Sequence, residues 1–252
     1  MRILQLTDLH IGERGEDTFG VDVRANFCAI LQEIKRNKPD HIVLTGDLCF
    51  NTGQLETYQW IYNQMQALGV PYSVIPGNHD DSDQIASVFG LHEQLQNGQL
   101  YFSAAMAGNQ VVYLDSGPGI VSEEQLTWLQ QEVQSGTGRL VVFIHHPPAL
   151  AGVPFMDINY PLRNHEEVQE ILLETDRKVD LFCGHYHVEK TLSIGNLRIH
   201  ITPSLFFQMD QKSPTFQVDH HRIGYREIIL GARSLKTKVY YLEGHVLQTS
   251  GA

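Results

Sequence analysis

Five short motifs hold most of the residues in this chain that could do chemistry. They are Asp8-Leu9-His10, Gly46-Asp47, Gly77-Asn78-His79-Asp80, His145-His146-Pro147 and Gly184-His185-Tyr186-His187. Together they supply carboxylates, an amide oxygen and imidazoles. That mixture suits Mn²⁺, Fe and Zn²⁺, and no thiolate is offered. One D-x-H or H-x-H arises by chance in many chains, and Gly-Asp alone is usually a turn. Five motifs in succession, most of them just after a short apolar run, form a set. Two cations about 3.5–4 Å apart need a shared anionic ligand, and Asp47 is the natural bridge. Water held between such ions is acidified to a hydroxide nucleophile near neutral pH, and the ions offset charge developing on phosphorus oxygens. His79, beside Asn78, is placed to give a proton or hydrogen bond to a phosphate or leaving oxygen. The expected chemistry is two-metal hydrolysis of a phosphate ester.

The elements that must position these residues are legible as apolar runs. Strands are expected at Ile3–Leu6, Ile42–Leu44, Tyr72–Ile75, Val111–Leu114, Leu140–Ile144 and Val179–Phe182. Helical spacing lies between them, near Val21–Arg36, Gln54–Leu68, Ser122–Gln134 and His165–Glu174. Ser122, followed by Glu123, Glu124 and Gln125, is a candidate N-cap with a capping box. Alternating strand and helix argues for layered α/β architecture, in which ligands gather at the strand carboxyl ends. A spacing of two puts Asp8 and His10, and likewise His185 and His187, on one side of an extended segment. After Gly184 the texture becomes strand-rich, with Lys190–Ile194, Leu197–Ile201, Tyr225–Leu230 and Lys236–Leu242. These are expected to form antiparallel sheet completing the fold. The irregular stretches Gly15–Gly20, Ala149–Asn164 and Phe207–His221 are candidate pocket walls. Phe206-Phe207 could stack on a base, although burial in the core is the better expectation.

The 252 residues are read as one domain spanning 1–252, with 42% hydrophobic and 19% charged residues, an ordinary globular balance. The net charge of −11 and the lack of a basic stripe argue against nucleic acid as partner. Cys28, Cys49 and Cys183 form no C-x-x-C pair, as expected of a reducing cytoplasm. No stretch has the ~20 apolar residues of a membrane span, and no signal segment is evident. A small phosphodiester is the expected partner, without membrane, and a homodimer is compatible with these features. His41, His92, His165, His200, His220, His221 and His245 lack any such context and are expected to be surface or core residues.

The ordered set D-x-H, G-D, G-N-H-D, H-H-P and G-H-x-H resembles the calcineurin-like metallophosphoesterase superfamily. The resemblance implies a four-layer α-β-β-α sandwich with a β-rich C-terminal part. It also implies that Asp8, His10, Asp47 and His187 hold one metal, and that Asp47, Asn78, His145 and His185 hold the other. The ligand in that pattern is the first histidine of the pair, hence His145 rather than His146. Asp47 and His79 then carry the chemistry, with Asn78, His79 and His187 against the substrate. Within the superfamily the chain looks most like bacterial class III 3′,5′-cyclic nucleotide phosphodiesterases. The resembling residues are Gly77-Asn78-His79-Asp80-Asp81, Leu114-Asp115-Ser116, His145-His146-Pro147-Pro148, Leu162-Arg163-Asn164 and Gly224-Tyr225-Arg226. Ser82 stands where that group often has arginine. The resemblance implies hydrolysis of cyclic AMP, with glycerophosphodiesters or other small diesters as the alternative substrates.

Overall fold

A computed structural model describes residues 1–247. In chain order the first elements are β1 (Arg2–Leu6), α1 (Val23–Arg36), β2 (His41–Thr45), α2 (Leu55–Leu68), β3 (Tyr72–Ile75) and α3 (Ser82–Phe89). Next come β4 (Leu95–Gln96), β5 (Gln99–Leu100), β6 (Phe102–Met106), β7 (Asn109–Leu114), α4 (Glu123–Ser135), β8 (Leu140–Ile144), α5 (Pro154–Asn159) and α6 (His165–Leu173). The chain continues through β9 (Val179–Cys183), β10 (Lys190–Ile194), β11 (Leu197–Ile201), β12 (Gln208–Met209), β13 (Val218–His220), β14 (Ile223–Leu230) and β15 (Leu235–Leu242).

Two sheets stack face to face. One has the order β15-β14-β1-β2-β3 and the other β10-β11-β9-β8-β7-β6. β1, β2 and β3 run parallel, as do β7, β8, β9 and β11. Strand alternation sorts side chains between the layers. Ile3, Val43 and Ile75 from the first sheet meet Val141, Phe143 and Phe182 from the second between the sheets. On the first sheet's outer face, Leu4, Leu6, Ile42 and Leu44 pack against Phe27 and Ile30 of α1 and Ile61 and Met65 of α2. On the second sheet's outer face, Val142, Ile144 and Leu181 pack against Leu126 and Leu129 of α4 and Val168 of α6. Strands buried on both faces read as continuous apolar runs, and the result is the expected α-β-β-α sandwich.

Several local expectations change. The C-terminal strands do not form one antiparallel sheet. β14 and β15 extend the first sheet beside β1, whereas β10 and β11 extend the second, with β11 parallel to β9. α3 lies where no helix was expected, although Asp81 caps the Gln84 N–H and Gly90 ends the helix in a left-handed turn. The wall Ala149–Asn164 contains α5, which starts with Pro154 in the first turn. Phe207–His221 contains the β12–β13 ribbon. The Ser122 cap is as expected and accepts from the Gln125 N–H.

Candidate metal centre

The five motifs converge at the carboxyl ends of β1, β2, β3, β8 and β9, where the two sheets meet. Three overlapping groups place their donor atoms within 4.8 Å of one another: Asp8, His10 and His187; His10, Asp47 and His79; and Asp47, His145 and His185. Asp47 belongs to two of the three, as does His10. Asn78 lines the same cavity from the β3 side.

Unusual backbone places the donors. Asp8, His10, Asp47, His185 and His187 all have positive φ, between 46° and 66°. Such left-handed conformations cost non-glycine residues energy and persist where the surrounding structure dictates them. Here they turn the chain sharply off each strand so that the side chains face inward. Two glycines make room for the carboxylates. A Cβ on Gly77 would overlap the Asp47 side chain, and one on Gly184 would overlap Thr7 and Asp8.

Hydrogen bonds set which imidazole nitrogen faces the centre. His145 Nδ1 donates to the Thr45 carbonyl at 2.8 Å, leaving Nε2 as the lone-pair nitrogen. His187 Nδ1 donates to the Phe207 carbonyl at 3.1 Å, so its Nε2 points inward. His185 Nε2 donates to the Tyr160 carbonyl at 2.9 Å, so that ring offers Nδ1 instead. His79 Nδ1 meets the Asn51 carbonyl at 2.9 Å, which leaves Nε2 toward the cleft. The carboxylates are held from behind: Asp8 accepts the His185 N–H and Asp47 accepts the His79 N–H, both at 3.0 Å.

The inner atoms of these side chains crowd together. His10 Nε2 lies 3.1 Å from His187 Nε2 and 3.6 Å from Asp47 Oδ2. His145 Nε2 lies 3.3 Å from Asp47 Oδ2, yet it is buried without a hydrogen bond. Oxygen and nitrogen donors this close, in a buried site, fit divalent cations of the Mn²⁺, Fe or Zn²⁺ type. The electrostatics agree. Burial opposes ionisation of Asp8 and Asp47, but the imidazoles outweigh it and both carboxyls stay below the usual range. Burial holds His10 neutral, down to about 3, and His185 down to about 4. At His145 the fields of Asp47 and Asp8 overcome burial and push it up to about 9. A positive charge is favoured where the carboxylates point.

His146 faces away. Its Nδ1 pairs with Ser116 Oγ at 2.9 Å behind the site. Sequence reasoning missed Asp80, which is half-buried at the end of its motif and ties loops together. It accepts from the Leu48 and Gly77 N–H groups and from the Tyr58 hydroxyl. Phe206 and Phe207 are buried, as expected, but they also line the cavity. That 630 Å³ cavity is walled by residues of all three irregular segments, among them Phe19, Phe155, Tyr160 and Phe216. Among the described residues, no helix is long and apolar enough to cross a membrane.

The chain resembles several known proteins. Over 241 residues the chain is 35% identical to a protein of Fibrobacter succinogenes named probable cyclic nucleotide phosphodiesterase, covering 96% of this chain and 94% of that one. Over 197 residues it is 30% identical to a protein of Arcobacter nitrofigilis named probable glycerophosphodiester phosphodiesterase, covering 74% and 72%. The fold is similar to that of a dimetal phosphatase from Danio rerio, with a TM-score of 0.70 at 13% identity over 99% of both chains. The family model for calcineurin-like phosphoesterases matches residues 1–189, which contain all five motifs. The chain belongs to the calcineurin-like phosphoesterase family.

Proposed function

We propose that the chain is a dinuclear metal-dependent phosphodiesterase that hydrolyses 3′,5′-cyclic nucleotides, cyclic AMP among them, to nucleoside 5′-monophosphates. The observation that carries this reading is the cluster of carboxylate and imidazole ligand atoms gathered around Asp8 and Asp47 beneath an open cavity. Asp8, His10, Asp47 and His187 would hold one cation, and Asp47, Asn78, His145 and His185 the other. When bound, the two cations supply Lewis acidity that activates water and neutralises phosphoryl charge. Asn78, His79 and His187 line the cavity and orient the phosphoryl oxygens. His79, anchored through Nδ1, presents Nε2 to the leaving 3′-oxygen and protonates it as the P–O bond breaks. The free cysteines support a cytoplasmic location.

The Fibrobacter relative's name supports the cyclic nucleotide reading, because that protein aligns over nearly its whole length. The name of the Arcobacter relative supports a second reading, in which the same centre cleaves glycerophosphodiesters. The deciding experiment compares cyclic AMP with glycerophosphocholine as substrates for Mn²⁺-loaded protein. AMP release, abolished with metal content in Asp47→Ala, is the expected result. Turnover of glycerophosphocholine alone would transfer the assignment to the second reading. An Asp47→Ala protein that keeps two metals and full rate would sink the bridge.

A further inference from the structure

Above the metal centre stands a cage of phenylalanines. Phe206 lies 5.0 Å from the His10 ring, and Phe207 lies 5.1 Å from the His187 ring, centroid to centroid. Phe50 closes one side, edge-on to Phe206 at 5.8 Å. Phe19 and Phe216 form the rim, 6.3 Å apart, and Phe155 lies 5.9 Å beyond Phe216. Phe19 and Phe216 are 67% and 50% exposed, whereas Phe206 is buried at 2%. Phe19 also carries a left-handed backbone, φ 53°, which a bulky aromatic residue rarely adopts. Its strained turn is pinned by Thr18 Oγ1 donating to the Val21 carbonyl. An exposed, strained aromatic side chain held over a cavity points to a ligand.

Charge narrows the ligand further. Among the described residues, no lysine or arginine lines the cavity, and its histidines are those of the candidate metal centre. The two cations can balance one phosphoryl group, but nothing in the cavity wall balances a second. Away from the metal centre the wall is mostly aromatic rings and the thioethers Met156 and Met209, with Asn51 and the Tyr160 hydroxyl as its polar groups, so a polyol would meet few hydrogen-bonding partners there. Aromatic faces reward flat rings, which they stack more favourably than they bury aliphatic area alone.

We propose that this cage is the specificity subsite: it selects phosphodiesters carrying one flat aromatic group and one phosphoryl group, with Phe19 and Phe216 as the residues that grip the ring. The proposal rests on the phosphodiesterase reading of the centre below it and names the substrate class of that centre. Polyphosphorylated nucleotides and polyol diesters are the classes it disfavours.

The test uses monoanionic diester analogues that differ in one group: the monomethyl esters of phenyl-, cyclohexyl- and methylphosphonate. Their binding to Mn²⁺-loaded protein is measured by calorimetry, so the readout does not depend on turnover. The phenyl ester is expected to bind about tenfold tighter than the methyl ester, the scale of one ring stacked on aromatic side chains. The cyclohexyl ester should fall clearly behind the phenyl ester. Phe19→Ala combined with Phe216→Ala should bring the phenyl-to-methyl ratio to within about twofold of unity, with far-ultraviolet circular dichroism unchanged because both rings are exposed. Equal binding of phenyl and methyl esters, or of phenyl and cyclohexyl esters, overturns the proposal. So does a ratio that survives the double substitution. If the phenyl preference holds but the two-metal protein turns over no diester, the cage stands and the phosphodiesterase reading falls.

Discussion

Five candidate donor residues share a backbone conformation that side chains other than glycine avoid, so the site is built from local strain offset by its surroundings. The relief of that strain depends on small neighbours. Gly77→Ala would push a methyl group into Asp47, the residue common to both proposed cation sets. The expected outcome is loss of at least one bound metal by elemental analysis, with a fold still visible by circular dichroism. His79 tests a different role. Its imidazole reaches the His10–Asp47 group, yet the role proposed for it is proton donation. His79→Ala should lower kcat by roughly 10²–10⁴-fold, the usual worth of a positioned general acid, while metal content stays near the parent's. Parallel loss of metal and rate would make His79 a ligand. His10 differs from the other imidazoles because its buried Nδ1 has no partner. It sits instead between the rings of Phe50 and Phe206.

At the scale of elements, the strand ends carry the chemistry and the rest of each strand carries stability. His41 opens β2, buried against Ser73 of β3 with Nε2 3.0 Å from its hydroxyl. Burial disfavours its cation and lowers its pKa below 6.5. The unfolded chain therefore takes up a proton below about pH 6.5 that the folded chain refuses. Stability from this residue is complete above that pH and declines as pH falls, until folded His41 itself titrates. His41→Gln should flatten that decline, seen as a smaller difference in urea midpoint between pH 7.5 and pH 5.5 than in the parent. The six central strands, from β1 to β9, were legible because apolar runs bounded by Gly, Asp and His have few alternatives. α3 was not, because its eight residues make only about two turns, too short a stretch for helical spacing to stand out. The split of the C-terminal strands between two sheets was invisible for a different reason. Alternation tells which face of a strand is buried but not which edge it joins. The candidate donors that the structure gathers were legible because their types are scarce and ordered. The cage was not, since Phe19, Phe155 and Phe216 lie far apart in sequence and meet only when three irregular segments fold together.

Across the whole molecule, one polar chain stitches the two sheets beside the metal centre. Arg226 of β14 donates to the Thr202 hydroxyl at 2.8 Å and to the Ile201 carbonyl at 2.9 Å. Thr202 in turn donates to Gln5 of β1, and Gln5 reaches Thr45 and the Cys183 carbonyl. Arg226→Met would leave buried acceptors without donors and should cost roughly 2–3 kcal/mol in urea unfolding. The pairing of β14 with β1, Arg2 against Ile229 through Gln5 against Arg226, has a consequence in time. Every candidate ligand has been synthesised once His187 emerges, but the strand that covers one edge of β1 has not. During that interval the nascent chain carries all its chemistry on a sheet with an open, apolar edge. The first strand made waits for nearly the last, and a chain released just after Glu189 is expected to aggregate rather than act as a smaller enzyme.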